Sequence, residues 1–289
     1  MVSNGIIFEV NILTLTLKFK IMKKIAWMFF CIIILSSCEK NKLLIVENTG
    51  IPLISKVLID GASYYEYTYS DANLLTEEKS KFHYTKHNYN DNNLLSISEF
   101  YVDPAMFSSN YSVIQASMNR KEWVNPDNTA LSFSHSLEYK NNGELLRKSF
   151  FRPSDSNAEY NKFTYKNNRI SRQTMYWQNV MSRYIDYEYD KKGNLIKESK
   201  YNVSASGSVE LLTTTEYEFD NMHNPYLAFK RLISPGKYTN PNNITKETYT
   251  IHFEVEQWIQ KVQVTNNTYE YNSKGYPTKV NGNVEYIYK

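Results

Sequence analysis

Tyr187-Glu188-Tyr189-Asp190-Lys191-Lys192-Gly193-Asn194-Leu195 is the stretch that decides the fold. Its first three residues alternate aromatic, acid, aromatic, the period-2 pattern of a strand with one apolar and one wet face. Asp190, Gly193 and Asn194 then supply the side-chain-to-backbone bonds and positive φ angles of a three- to five-residue turn. Leu195 restores an apolar position, and Ile196-Lys197-Glu198-Ser199-Lys200-Tyr201 runs on in polar alternation. Strand, turn and strand make a β-hairpin.

The hairpin recurs. Partial copies are Tyr67–Leu74, Asn88–Leu94, Leu137–Leu145, Phe163–Ile170, Tyr217–Asn224 and Tyr269–Tyr276. The second aromatic falls at 69, 89, 139, 165, 189, 219 and 271, giving intervals of 20, 50, 26, 24, 30 and 52. The two long intervals are about twice the others, so each is expected to hide a degenerate unit. The expected turns are near Asn125-Pro126-Asp127-Asn128 or Ser108-Ser109-Asn110, and near Asn240-Pro241-Asn242-Asn243. Hairpins in series predict an all-β antiparallel meander of sixteen or more strands, strongly twisted or closed into a barrel-like sheet. Ser112 to Arg120 is the one stretch that reads as a short helix.

Tyr187 to Leu195 resembles the tyrosine-aspartate repeat of Rhs-type proteins, in the form Tyr-x-Tyr-Asp-x-x-Gly-Asn-Leu. Rhs proteins wall a shell around a toxin with dozens of repeats. Eight or nine units with no toxin domain do not imply that role here. Together with the N-terminal signal described next, the repeats also resemble uncharacterised Bacteroidetes outer-membrane lipoproteins of this length. That resemblance implies a porin-like or barrel-like β domain, covering about residues 64–289. The acids Glu138, Glu188, Glu218 and Glu270 on the strands' outward side argue against a wall facing lipid. They are expected to form a solvated face balanced by lysines such as Lys197 and Lys279.

The N-terminus carries an address. Met22-Lys23-Lys24 precedes the apolar run Ile25 to Leu35, which ends in Leu35-Ser36-Ser37-Cys38. A basic start, a short apolar core and small residues before the cut make a secretory signal, too short to span a membrane as a helix. The ending resembles the bacterial lipobox, which implies cleavage before Cys38 and acylation of its thiol and new amino group. An uncleaved signal anchor and a buried strand ending in Cys are the alternatives. The organisation read here is a gene-model extension over 1–21, a signal over 22–37, a lipidated tether over 38–60 and one hairpin-repeat domain over 61–289. A changed codon at Met22 that leaves expression intact would contradict that start. The predicted location is the cell envelope, as an outer-membrane lipoprotein facing either the periplasm or the surface, with the lipid anchor holding it to the membrane.

Composition narrows the function. The 289 residues include 25 Tyr, 14 Phe and 32 Asn, and aromatics make up 15%, which excludes a disordered chain. A mean hydropathy of −0.54 excludes a polytopic helical membrane protein. The net charge of +3 belongs to the signal: removing residues 1–37 leaves 29 basic and 29 acidic residues. No basic stripe remains for nucleic acid. Cys31 lies inside the signal, so Cys38 is the sole cysteine of the mature chain, and cysteine metal sites and internal disulfides are excluded.

No catalytic motif stands out. His83 and His87 sit four apart on a predicted strand, about 13 Å from each other, too far to share a metal, and read as surface or cross-strand polar residues. His135, His223 and His252 read the same way. Asp71, Asp91, Asp190 and Asp220 read as turn formers without the spacing of a calcium loop. No cofactor or metal is implied. Trp123, Trp177 and Trp258 are expected to pack in the core, with sugar stacking as the other reading. The function expected is a lipid-anchored, non-enzymatic binding scaffold with a protein or glycan partner; the alternative is a glycan-binding or glycan-processing accessory lipoprotein.

Overall fold

The computed structural model describes residues 50–104 and 123–289, apart from 82, 234, 237 and 257. The signal, Cys38 and the helix expected over 112–120 lie outside the described residues. The described part of the chain is built from seventeen strands. The first five are β1 (Ile54–Ile59), β2 (Ala62–Tyr69), β3 (Leu75–Ser80), β4 (His83–Tyr89) and β5 (Leu95–Val102). β6 (Ala130–Tyr139), β7 (Leu145–Arg152), β8 (Asp155–Lys166) and β9 (Arg169–Trp177) follow. Next come β10 (Val180–Tyr189), β11 (Leu195–Val203), β12 (Val209–Phe219) and β13 (Ile244–Ile251). The last four are β14 (Val262–Asn266), β15 (Tyr269–Tyr271), β16 (Pro277–Val280) and β17 (Val284–Tyr288).

Each strand pairs antiparallel with the next from β1 to β14 and again from β15 to β17. β17 then pairs back on β1, with Val57 opposite Tyr286. The meander curls until its ends meet. Only Asn267 and Thr268 separate β14 from β15, so these two edges lie within about 11 Å of each other. No ladder joins them among the described residues. This seam is held by side chains instead: Asn267 Nδ2 donates to Ile244 O at 3.0 Å, and Asn281 Nδ2 to Asn267 Oδ1 at 3.0 Å.

The repeat turns explain the motif residue by residue. The fourth residue after the second aromatic holds a positive φ: Asn73 at 57°, Asn93 at 57°, Gly143 at 82°, Gly193 at 101° and Gly275 at 76°. Only Gly and Asn reach this region at little cost. Where the residue directly after the aromatic is Asp or Asn, it accepts the loop's amides, as when Asp190 Oδ1 takes Gly193 N–H at 2.7 Å and Asn194 N–H at 2.8 Å. Asn90 and Asn272 do the same for Leu94 and Tyr276.

The aromatic itself is a staple. Its hydroxyl donates to the carbonyl at or next to the start of the preceding strand: Tyr69 to Ile54 at 2.7 Å, Tyr89 to Leu75 at 2.8 Å, Tyr139 to Leu95 at 2.8 Å and Tyr189 to Ile170 at 2.9 Å. Tyr288 repeats the bond to Pro277, whereas Tyr269, the first aromatic of its unit, reaches past β14 to Ile244 of β13 and is not a staple of this kind. In one unit the direction reverses, and Leu145 N–H donates to the Tyr165 hydroxyl at 2.9 Å. Each staple links adjacent strands beside a turn, so the tyrosines line the inside of one rim, the repeat-turn rim. Leu75, Leu95, Leu145, Ile170 and Leu195 are buried beside them.

The outer face is wet. Lys197 pairs with Glu216 at 3.1 Å, Lys246 with Glu218 at 2.8 Å, and Lys279 with Glu285 at 3.1 Å. Glu188 faces Lys197 in register, and Glu270 faces Lys279. The expected balance of acids by lysines is present.

Two expectations need correction. Among the described residues neither expected turn builds an extra hairpin, and Ser108-Ser109-Asn110 lies outside them. β5 pairs directly with β6, and Asn125–Asn128 forms a 3-10 turn within their connection. β12 pairs directly with β13, and residues 220–243 form an insertion. The sheet also starts before residue 61, because β1 occupies residues the sequence assigned to the tether.

Candidate functional site

The insertion builds the most distinctive interior feature. Asn224 caps its start by accepting Tyr226 N–H at 2.9 Å, with Pro225 in the first turn, where its missing N–H is harmless. The 3-10 helix Pro225–Leu232 follows and drives Phe229, 1% exposed, against the rings of Tyr67, Tyr69, Tyr226 and Tyr238. Together with Ala228, Leu53, Ile54, Val57 and Leu75, it forms one core cluster. The helix ends at Ile233 with φ 46°, a left-handed backbone that a β-branched residue adopts only under strain. The insertion is a plug.

Asparagines fasten the far end of the plug to the wall. Asn194 Nδ2 donates to Asn242 Oδ1 at 3.0 Å, while Asn242 N–H donates to Asn194 Oδ1 at 3.1 Å. Asn243 N–H and Nδ2 both donate to Asp220. Tyr271 OH also donates to Asp220 in a very short bond. Asn240 Oδ1 accepts Leu195 N–H at 2.8 Å. That last bond fills a gap in the staples. Leu195 opens β11, and the aromatic that would serve it is Phe219, which has no hydroxyl.

Between plug and wall, on the inner side of the seam, lies a cavity of about 140 Å³. Asn224, Asn240, Asn242, Asn243 and Asn267 present amides around it. Tyr226, Tyr269, Tyr286 and Glu247 complete its polar lining. Asn240 is 1% exposed, and its Nδ2 has no hydrogen-bond partner. Burial holds the Tyr226 hydroxyl firmly protonated, reinforced by Tyr286. Glu198 sits two strands from Glu247 on the same inner face, with Tyr217 between them. Burial raises the Glu198 pKa against the Tyr217 hydrogen bond, and the Glu247 charge adds to the rise. Gly236 of the plug, at φ 90°, approaches it closely: a Cβ there would lie 3.9 Å from Glu198 Oε1 and a tight 3.2 Å from Leu195 Cδ2.

His223 and His252 are exposed, as a surface reading expects, while His83 and His87 make cross-strand polar contacts and are buried. His83 is 5% and His87 9% exposed, both facing inward. His83 bonds Glu78 at 2.7 Å and Ser80 Oγ at 2.9 Å, and His87 Nδ1 meets Ser98 Oγ at 3.1 Å. His135 lies between Phe133 and Phe150. Burial pulls the pKa of His87 down to about 4 and that of His135 to about 3, the latter helped by the charge of Lys148. No group of three or more metal-binding side chains occurs among the described residues.

The tryptophans are not brought together. Trp177 ends β9, Trp258 lies between β13 and β14, and Trp123 precedes Val124, whose N–H bonds Ser80 O at the end of β3. All three sit at the rim opposite the repeat turns. Along the sheet, about 29 Å of arc separates β3 from β9 and about 19 Å separates β9 from β13. Core packing fails for Trp258, 81% exposed, and Trp177, 41% exposed. Trp123 is half-buried, with Lys79 Nζ 6.0 Å from its ring centroid.

Sequence reasoning missed Asn240 and Glu247. The signals were present: the 52-residue interval, the one staple position occupied by Phe, and the Asn-rich run 240–243.

No family model matches the chain, and no curated protein matches it. Solved structures do. A porin-like protein from Bacteroides uniformis aligns at 12% identity and a TM-score of 0.40, covering 82% of this chain and 98% of that one. A porin-like protein from Bacteroides vulgatus aligns at 12% identity and a TM-score of 0.37, covering 82% and 99%. The TcdB2-TccC3 complex aligns at 12% identity and a TM-score of 0.29 over 77% of this chain but 10% of that one.

Proposed function

We propose that this is a cell-envelope lipoprotein, held in the outer membrane by acyl chains on Cys38, that works as a non-enzymatic binding scaffold. The observation that carries the scaffold reading is the filling of the sheet's interior by staple tyrosines and the plug, where an enzyme would need an open cleft. The signal and lipobox carry the anchor. Two or more acyl chains give stable attachment.

A glycan-binding or glycan-processing role is the second reading. The exposure of Trp177 and Trp258 favours it, because exposed aromatic faces stack sugar rings. The paired acids Glu198 and Glu247 are the kind of groups glycoside hydrolysis uses. The test is a glycan array probed with the detergent-extracted protein and with Trp123, Trp177 and Trp258 each changed to Ala. Binding lost in one of these variants establishes the glycan reading. Binding to no glycan removes it and leaves the scaffold, whose partner is then sought among envelope proteins by cross-linking.

A further inference from the structure

We propose that the cavity between plug and seam is a ligand site for a neutral, hydroxyl-rich six-membered ring, the size of one sugar residue. The inference goes beyond the scaffold reading and is independent of the rim tryptophans.

Four amides of the lining each have a hydrogen committed to the protein. Asn224 Nδ2 donates to Asn240 O at 2.8 Å, Asn242 Nδ2 to Met222 O at 2.8 Å, Asn243 Nδ2 to Asp220, and Asn267 Nδ2 to Ile244 O. Tyr269 OH is spent on Ile244 O, and Tyr226 and Tyr286 bond each other. The amide of the lining whose nitrogen has no partner at all is Asn240 Nδ2, and the Glu247 carboxylate has no hydrogen bond or ion pair among the described residues. A buried amide donor without a partner costs about 1–3 kcal/mol, so the site favours anything that accepts from it.

Size and charge narrow the ligand. The cavity of about 140 Å³ compares with the ~150 Å³ engineered cavity that takes one benzene ring, so it holds the ring itself while its open mouth leaves space for ring substituents. A purely apolar ring leaves both free groups unpaired. An anion meets the Glu247 charge with no Lys, Arg or His among the described residues of the lining to offset it. A ring carrying hydroxyls accepts from Asn240 and donates to Glu247, while the faces of Tyr226, Tyr269 and Tyr286 supply apolar contact. The ligand would bridge plug and wall at the seam, where the sheet lacks a ladder.

The experiment uses the full-length protein in detergent and saturation-transfer NMR with a heating series. The probes are methyl glucoside, methyl mannoside, methyl galactoside, N-acetylglucosamine, myo-inositol and glucuronate. At least one neutral ring is expected to bind saturably and raise Tm, with glucuronate at least about tenfold weaker, the scale of one unfavourable charge contact. Asn240→Asp keeps the acceptor for Leu195 N–H while removing the free donor, and is expected to weaken binding about tenfold. Glu247→Gln removes the charge and turns one of the two acceptor oxygens into a donor, and is expected to weaken it similarly, deciding the matter if the Asn240 variant does not fold. Lys197→Ala, on the outer face, leaves the affinity unchanged. The proposal is overturned if no neutral ring binds, if glucuronate binds as tightly, or if binding survives Glu247→Gln unaltered; array binding through the tryptophans would stand regardless.

Discussion

Replacing Tyr139 with Phe removes one oxygen and tests the staple directly. The Tyr139 hydroxyl donates to Leu95 O at 2.8 Å, and Leu95 is 3% exposed. The ring remains, so packing is conserved, and the loss is one hydrogen bond with a buried carbonyl left unsatisfied. Such a loss costs about 1–3 kcal/mol. For a domain of this size each kcal/mol lowers Tm by about 2–4 °C. Urea unfolding followed by tyrosine fluorescence is the assay, with the midpoint expected to fall and the slope to stay constant. Tyr69→Phe acts at the distant Ile54 carbonyl, so the double variant is expected to lose the sum of the two within about 0.5 kcal/mol. Phe219→Tyr is the converse: Asn240 already serves Leu195, so the added hydroxyl brings no gain. If Tyr139→Phe and Tyr69→Phe each cost less than about 0.3 kcal/mol, well under one hydrogen bond, the tyrosines are not staples.

Three further outcomes follow from the same structure. Phe229→Ala empties the plug's anchor in the ring cluster and is expected to cost about 3–5 kcal/mol and to expose residues 224–243 to limited proteolysis. Acid is expected to destabilise the fold. His87 and His135 have folded pKa values below the unfolded ~6.5, so their contribution is complete above pH 6.5 and is lost as pH falls towards 4, by roughly 3 kcal/mol for His87. The variant His87→Gln with His135→Gln should flatten stability between pH 6.5 and 4 in urea titrations; an unchanged slope refutes the assignment. Lys197→Ala breaks an exposed pair with Glu216 and is expected to change stability by less than about 1 kcal/mol, a loss that shrinks further in high salt.

Local chemistry was legible in the sequence wherever neighbours along the chain decide it. Asn93, Gly143 and Gly193 announce their positive φ angles, and Glu188 and Lys197 announce an outward face, because turns and strand alternation act over a few residues. The pairing of β17 with β1 was not legible: Val57 and Tyr286 stand at opposite ends of the domain, and no local pattern marks them as neighbours. The plug was misread for a related reason. Asn240-Pro241-Asn242-Asn243 has the composition of a hairpin turn, yet it is fixed by Asn194 and Asp220 from remote strands. The buried Asn240 donor follows from that tertiary contact alone. Burial of His83 and His87 likewise depends on the sheet's curl, which decides the face that turns inward.

The anchored scaffold is tested most directly by the intact mass of the protein extracted from membranes, beside a Cys38→Ser variant grown with labelled fatty acid. The account requires a mature chain that starts at Cys38 and carries diacylglycerol plus an N-acyl chain. The variant is then unlabelled and retains residues 22–37. A wild-type chain that keeps its N-terminus and takes up no lipid, or a Cys38→Ser chain that is cut and labelled as usual, contradicts it.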